Sequence, residues 1–212
     1  MTSTMTMPLE TAPPGTLTDW MRERRSIRRY RAEPLPPGLI ERLLDAARLA
    51  PSAHNRQPWR FALLQHAERK ERLATAMGAR LRADRTADGD DTEAIEADVA
   101  RSHARIASAP AVIVASLTLA DMDTYPDPRR AGAERLMAVQ STAMAVQNLL
   151  LLAHAEGLGA CWMCAPLFCP DTVKTALALP ADWEPQALVT LGYPAAPGHR
   201  RERRAIAEIV RT

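Results

Sequence analysis

The stretch Arg24-Arg25-Ser26-Ile27-Arg28-Arg29-Tyr30 sets four guanidinium groups and a serine hydroxyl within seven residues. Like charges at that spacing repel one another unless an anion sits among them. A phosphate suits them, because guanidinium forks and a serine Oγ can each donate to its oxygens. The plainer reading is a basic face neutralised by water alone, and the stretch by itself leaves both open.

Outward from this segment the chain reads as interleaved helices and strands. Residues 1–16 are rich in Thr, Pro and Met without periodicity and are expected to form a disordered tail. A short helix is expected to start near Thr16 to Thr18, with Leu17, Trp20 and Met21 on one face. Pro36 and Pro37 open a second helix, Gly38 to Ala50, with Leu39, Leu43, Ala46, Ala47 and Ala50 inward. Pro51 closes it, Ser52 to Pro58 reads as loop, and Trp59 to Gln65 as a strand. Two helical stretches follow, about Glu68 to Arg85 and Thr92 to Ala107, around the turn Asp88-Gly89-Asp90-Asp91. The second is polar almost all round, which suggests a mobile lid across residues 80–105.

Ala111 to Leu117 is a continuous apolar run, hence a buried strand. Residues 125–130 read as loop. Ala133 to Glu156 is a helix apolar on most of its circumference, for which a subunit contact is the expected second surface. Gly157-Leu158-Gly159 ends it, Ala160 to Ala165 reads as a short strand, and Pro170 starts a helix to about Ala178. Ala187 to Tyr193 is a last strand, followed by the arginine-rich segment 200–204. Helices and strands interleave without strict βαβ alternation. The expected class is therefore α+β, one domain over residues 17–212, around a central mixed, mostly antiparallel sheet flanked by helices.

Composition narrows the function classes. Of 212 residues, 47% are apolar and 25% charged, which excludes a disordered chain. Twenty-seven bases against 25 acids leave a net charge of +2, so no global field recruits nucleic acid or an anionic membrane. Leu136 to Ala155 is interrupted by Gln140, Ser141, Thr142, Gln147, Asn148 and His154, unlike a membrane span. Three cysteines within nine residues (Cys161, Cys164, Cys169) fit no secreted disulfide framework. With no basic, apolar leader, a cytoplasmic location is expected.

Two further segments can carry chemistry. In Pro51-Ser52-Ala53-His54-Asn55-Arg56-Gln57-Pro58-Trp59, prolines bracket an irregular loop whose Ser52, Asn55 and Gln57 offer neutral donors and acceptors, suited to a heteroaromatic amide edge. A loop that merely caps its neighbours is the competing view. In Gly157-Leu158-Gly159-Ala160-Cys161-Trp162-Met163-Cys164, the glycines permit positive φ and close backbone approach, and Trp162 and Met163 could wall a flat ligand or belong to the core. Cys161-x-x-Cys164 also matches a redox dithiol or half a zinc site, but no second well-spaced ligand pair accompanies it.

Four motifs in this order, RRSIRRY (24–30), PSAHNRQPW (51–59), EGLGACWM (156–163) and LGYP (191–194) with basic residues after it, resemble the FMN-dependent nitroreductase superfamily. The likeness spans roughly residues 17 to 210. YPDPRRAGAE (125–134), GLGACW (157–162), LPADWEP (179–185) and DRTADG (84–89) are most similar to the nitroreductase-like C-terminal domain of the actinobacterial γ-glutamyl ligase of deazaflavin coenzyme biosynthesis. The ligase half has no counterpart in these residues.

The resemblance implies a nitroreductase-like fold as an intertwined homodimer with FMN at its interface. Arg24, Arg25 and Ser26 would hold the FMN phosphate and ribityl chain, with Arg201 and Arg203 adding phosphate contacts. Arg28 would sit near the pyrimidine edge, where a cation favours the reduced anion. The loop residues Pro51, Ser52, Ala53, Asn55 and Gln57 would line the flavin, Ser52 and Asn55 from the partner subunit. Trp162, Met163 and Cys164 would approach N5, with Cys164 standing where relatives often have a small residue such as glycine. His54, Arg80, Asp84 and Arg85 would contact substrate.

The implied activity is NAD(P)H oxidation by a ping-pong mechanism. A hydride reaches flavin N5 and passes to a nitroaromatic, a quinone or a deazaflavin precursor, with no protein acid or base required. Remaining alternatives are a flavin-storage or sensor protein, a thiol redox protein, a phospho-ligand or nucleic-acid binder, and a flavin-destroying or dehalogenating enzyme.

Overall fold

The computed structural model describes residues 16–211. The tail expected over residues 1–16 lies outside them, except for Thr16, which opens a helix.

The centre of the chain is set by Ala111–Leu117 (β2), whose seven residues are all buried. It pairs antiparallel with Trp59–Leu64 (β1) on one side and with Glu184–Gly192 (β4) on the other. Gly159–Met163 (β3) completes the order β1-β2-β4-β3, again antiparallel. The expected mixed character reduces to one parallel bridge, Ser26 to Ala160. Because side chains alternate across a strand, Ile113, Ala115, Val189 and Leu191 face one layer and Val112, Val114 and Leu188 the other.

Leu39–Arg48 (α2) and Pro128–Ala155 (α5) cover the first face, with Leu43 and Leu149 fully buried. Each such leucine contributes about 1.5–3 kcal/mol by leaving water. Ala67–Ala87 (α3) and Pro170–Leu177 (α6) cover the second through Leu73, Met77, Val173 and Leu177. Thr92–Ala107 (α4) lies on α3. Thr16–Glu23 (α1) and Ile206–Ile209 (α7) flank the ends.

Several expected boundaries and faces differ. Helix α5 begins at Pro128, inside the segment read as loop. The Asp127 carboxylate accepts from the Arg130 N–H at 2.9 Å and Pro128 occupies the first turn, an Asp-Pro start signal visible in the sequence. Those donors hold the Asp127 carboxyl below the usual carboxylate range.

Helix α4 is not polar all round. Ile95, Val99 and Ile106 form a narrow buried stripe, and Arg82–Glu96 and Arg85–Asp98 ion pairs tie the helix to α3. The lid reading therefore loses its physical basis, since a stripe three residues wide disappears in a count of polar residues.

On α1, Leu17 and Met21 are exposed, while Trp20 stacks on His154 with ring centroids 5.2 Å apart. In α2, Ile40 is buried where Ala46 was expected, and the helix ends at Arg48. Helix α5 is long and apolar enough to cross a membrane by composition, with a mean hydropathy of 1.5 over an 18-residue window. Its place between α2 and the sheet accounts for only part of that apolarity, since 44% of the window is buried and Leu136 and Met144 on its outer side stay exposed.

A candidate anion-binding cleft

The arginine-rich segment after α1 is held extended along the β3 edge of the sheet. The Ile27 N–H donates to the Ala160 carbonyl at 3.0 Å, the Arg31 N–H to Tyr193 at 2.8 Å, and the Ala195 N–H back to Arg29 at 3.1 Å. The Tyr30 hydroxyl bonds the Ile27 carbonyl at 2.6 Å and Thr190 Oγ1 at 2.7 Å. Burial of that hydroxyl raises its pKa well above the ordinary tyrosine value, so it stays a protonated structural pin.

Two glycines make this seating possible. A Cβ on Gly159 would lie 2.6 Å from the Ile27 Cβ, and one on Gly198 would lie 2.5 Å from the Arg25 Cβ. Gly157 serves differently, turning the chain out of α5 at φ 74°.

The result is a cleft of about 1280 Å³ between this segment, α1 and the C-terminal tail. Its lining carries the guanidinium groups of Arg22, Arg24, Arg25, Arg28, Arg200, Arg201 and Arg203, with the Ser26 hydroxyl and one carboxylate, Glu202. Arg22 is paired with Asp19, and Arg25 reaches Glu23 at 3.5 Å. Arg24, Arg28, Arg200 and Arg201 have no carboxylate partner among the described residues. So strong an excess of fixed, unpaired cations around a concave space suits a multiply charged anion. Arg22, Arg200 and His199 belong to the lining although sequence reasoning had not singled them out, and basic residues in both flanking segments were the available signal.

The loop after α2 sits elsewhere. Its 3₁₀ turn Ala53–Asn55 carries positive φ at His54 (49°) and Asn55 (54°), and Gln57 follows at 49°. Such backbone is costly for non-glycine residues, and it is pinned by the Gln57 N–H donating to Ser52 Oγ at 3.0 Å. Pro51, Asn55 and Gln57 are exposed, while Ala53 is half-buried, its N–H 3.4 Å from Ser141 Oγ of α5.

Pro58 bonds Thr118 beyond the far end of β2, whereas Ser26 lies level with Ala160, Leu191 and Ala111 at the near end. Along β2 this separation is roughly 24 Å, and four strand spacings add about 19 Å sideways. That diagonal exceeds the length of one FMN molecule. A single chain therefore does not bring the two predicted groups together.

At the exposed end of β3, Trp162 and Met163 are half-buried and Cys164 is exposed. The Trp162 indole N–H donates to Cys164 Sγ at 2.9 Å. Cys161 lies on the opposite face, buried, its thiol pushed up by desolvation against the opposing fields of Arg28, Arg105 and Arg24. The pair is thus no preformed dithiol. The described residues hold no group of three or more His, Cys, Asp or Glu able to bind a metal. An Ellman titration of the native protein should find one rapidly reacting thiol per chain, Cys164, with Cys161 and Cys169 reacting only after unfolding. Fast reaction of two thiols would contradict this geometry.

The substrate-contact candidates of α3 are engaged with one another. Arg80 bonds Asp84 at 2.7 Å and Arg85 bonds Asp90 at 2.6 Å, outside the arginine cleft. His54 is exposed on the strained loop, remote from the cleft.

The family model described as the nitroreductase family matches residues 21–193. The chain is 32% identical over 210 residues to a protein named NADH dehydrogenase from Thermus thermophilus, covering 89% of this chain and 91% of that one. It is 29% identical to 5,6-dimethylbenzimidazole synthase of Rhodospirillum rubrum, over 89% and 83% of the two. The crystal structure of a candidate nitroreductase from Desulfovibrio desulfuricans in complex with FMN superposes with a TM-score of 0.72 at 29% identity, covering 93% of this chain and 96% of that one.

Proposed function

The chain belongs to the nitroreductase family, and from that premise we propose that it is an FMN-dependent oxidoreductase, acting as a homodimer, that moves hydride from NAD(P)H to a small conjugated acceptor. The observation that carries this reading is the arginine cleft. A phosphate monoester bears close to two negative charges at neutral pH, and the unpaired guanidinium groups of Arg24, Arg200 and Arg201 around Ser26 fit that charge. The relative solved with FMN supports the choice of anion.

When bound, FMN supplies the hydride carrier between donor and acceptor. The residues of this chain supply the rest. Arg24, Arg25 and Ser26, with Arg201 and Arg203, hold the phosphate and ribityl chain. Arg28 brings a fixed positive charge to the pyrimidine edge. Trp162, Met163 and the backbone to Cys164 wall the ring.

The diagonal between the cleft and the strained loop supports a dimeric site: Pro51, Ser52, Ala53, Asn55 and Gln57 can reach that flavin only from a second copy. The bare outer side of α5, with Leu136 and Met144, is an apolar surface available to that copy. His54 would then stand over the exposed flavin face. Residues 17–212 act as one FMN-binding unit, in a cytoplasm whose reducing conditions suit three free thiols. The acceptor is a nitroaromatic, a quinone or a deazaflavin precursor, the last in line with the motifs of residues 125–134 and 179–185.

One further reading is a flavin-destroying enzyme, in which bound flavin is itself consumed; a protein named 5,6-dimethylbenzimidazole synthase is among the relatives at 29% identity. Anaerobic titration of the yellow protein with NADH and NADPH separates the possibilities. Reversible bleaching, with colour restored by a nitroaromatic or quinone, is the expected result. Bleaching followed by irreversible loss of flavin in air would favour consumption. A protein that stays colourless and monomeric in excess FMN would end the proposal.

A further inference from the structure

A second concavity, about 680 Å³, adjoins the first and shares Ser26, Arg28 and His199 with it. Its other wall is the last two turns of α4. Arg101 and Arg105 stand four residues apart and so on one side of that helix. With Arg28 and Arg29 they make four guanidinium groups, and no Asp or Glu lines the space. Arg101 is tethered by Asp98, which fixes its position. Arg28, Arg29 and Arg105 have no carboxylate partner among the described residues. Like charges brought around one space by two separate segments cost energy unless an anion occupies the space between them.

The remaining walls are of another character. Ala104, Ala196 and Pro197 are small and apolar, and the Tyr30 hydroxyl is already committed to Thr190. A volume of this size suits a small molecule rather than a polymer. The positive field is felt beyond the cleft, since Arg28 and Arg105 both oppose the rise in the buried Cys161 thiol.

We propose that this cleft is a second anion site, which takes the phosphate group of a phosphorylated small molecule while FMN fills the first cleft. Arg29, Arg101 and Arg105 are its recognition residues. The inference rests on the FMN assignment above. Two sources share the chemistry: the 2′-phosphate of a nicotinamide donor, which would make the site select NADPH over NADH, and a phosphorylated acceptor.

The test is calorimetric titration of FMN-saturated protein with adenosine 2′,5′-bisphosphate and with inorganic pyrophosphate, on the wild type and on an Arg29→Ala, Arg105→Ala variant. Both side chains reach solvent, so the fold is not at stake; an Arg105→Lys variant, which keeps the charge, should retain most of the binding. The expected result is saturable binding to the wild type, weakened about tenfold or more in the double alanine variant, with FMN affinity held within about threefold. Tighter binding of the adenosine compound than of pyrophosphate, with a raised KM for NADPH but not NADH in the variant, would identify the donor as source. Equal binding of both probes would identify a phosphorylated acceptor.

No uptake by the FMN-loaded wild type, or undiminished uptake by the variant, would overturn the proposal. So would a parallel tenfold loss of FMN, because the flavin would then span both clefts. A protein that takes up no FMN at all would instead sink the cofactor assignment, and the difference in pyrophosphate binding between wild type and variant would still report on this site.

Discussion

An Arg24→Ala, Arg28→Ala protein is expected to purify colourless, with FMN affinity lowered by roughly a hundredfold or more. A hydrogen bond to a charged group contributes about 1.5–3 kcal/mol, so each loss costs about tenfold or more in binding. Arg24 is half-buried and lines the cleft without a carboxylate to share its charge, and Arg28 stands at the junction of the two clefts. The loss should appear as a raised Kd in a fluorescence-quenching titration, with unchanged thermal stability of the flavin-free protein. Arg48→Ala removes an exposed arginine already paired with Asp45 on α2, and should leave binding as it was. An unchanged Kd in the double variant would mean that the arginine cleft is not the phosphate site.

Gly159→Ala is expected to damage both the fold and the site from one position. The added Cβ would come within 2.6 Å of the Ile27 Cβ and 2.7 Å of its Cγ2. The first of these is next to the main chain and cannot swing aside. The Ile27 N–H bond to Ala160 at 3.0 Å then has to lengthen. Overpacking of this kind costs about 1–3 kcal/mol, which in a chain of this size lowers Tm by roughly 2–4 °C for each kcal/mol.

Ser26 and Arg28 flank Ile27, so displacing the segment should also weaken FMN about tenfold. Adding Ile27→Gly removes the clashing atoms. The double variant should therefore be less destabilised than the sum of its parts, by about 1 kcal/mol. Gly132→Ala provides the contrast. Nothing lies within 4 Å of a Cβ there, and the residue is inside α5, so it should gain about 0.5–1 kcal/mol. Strict additivity of the Ile27 and Gly159 changes would show that the two residues do not press on each other.

Much of the framework was legible from residue order alone. The β-branched run of β2, the proline-led starts of α2 and α6, and the Gly157 stop of α5 are local signals whose cause lies within a few residues of their effect. The charge density of the arginine segment was legible for the same reason, because four guanidinium groups in seven residues repel one another wherever they fold. Readings that needed a neighbour fared less well. The stripe Ile95-Val99-Ile106 is too narrow to stand out in a polar helix, and only the packing of α3 shows which side is buried. Arg80, Asp84 and Arg85 looked like free polar groups until the helix hairpin paired them.

By itself, then, the residue order determined that this chain builds an α+β fold and concentrates arginines in its first loop, since periodicity and local charge density are properties of neighbours along the chain. Tertiary structure alone decided which arginines share one space. The tail residues Arg200 and Arg201 join Arg24 across 176 and 177 positions of sequence; Arg105 of α4 meets Arg29 in a second cleft; and the polar loop of residues 51–58 lies at the opposite corner of the sheet. Charges interact through distance in space, and the antiparallel pairing of four strands sets those distances.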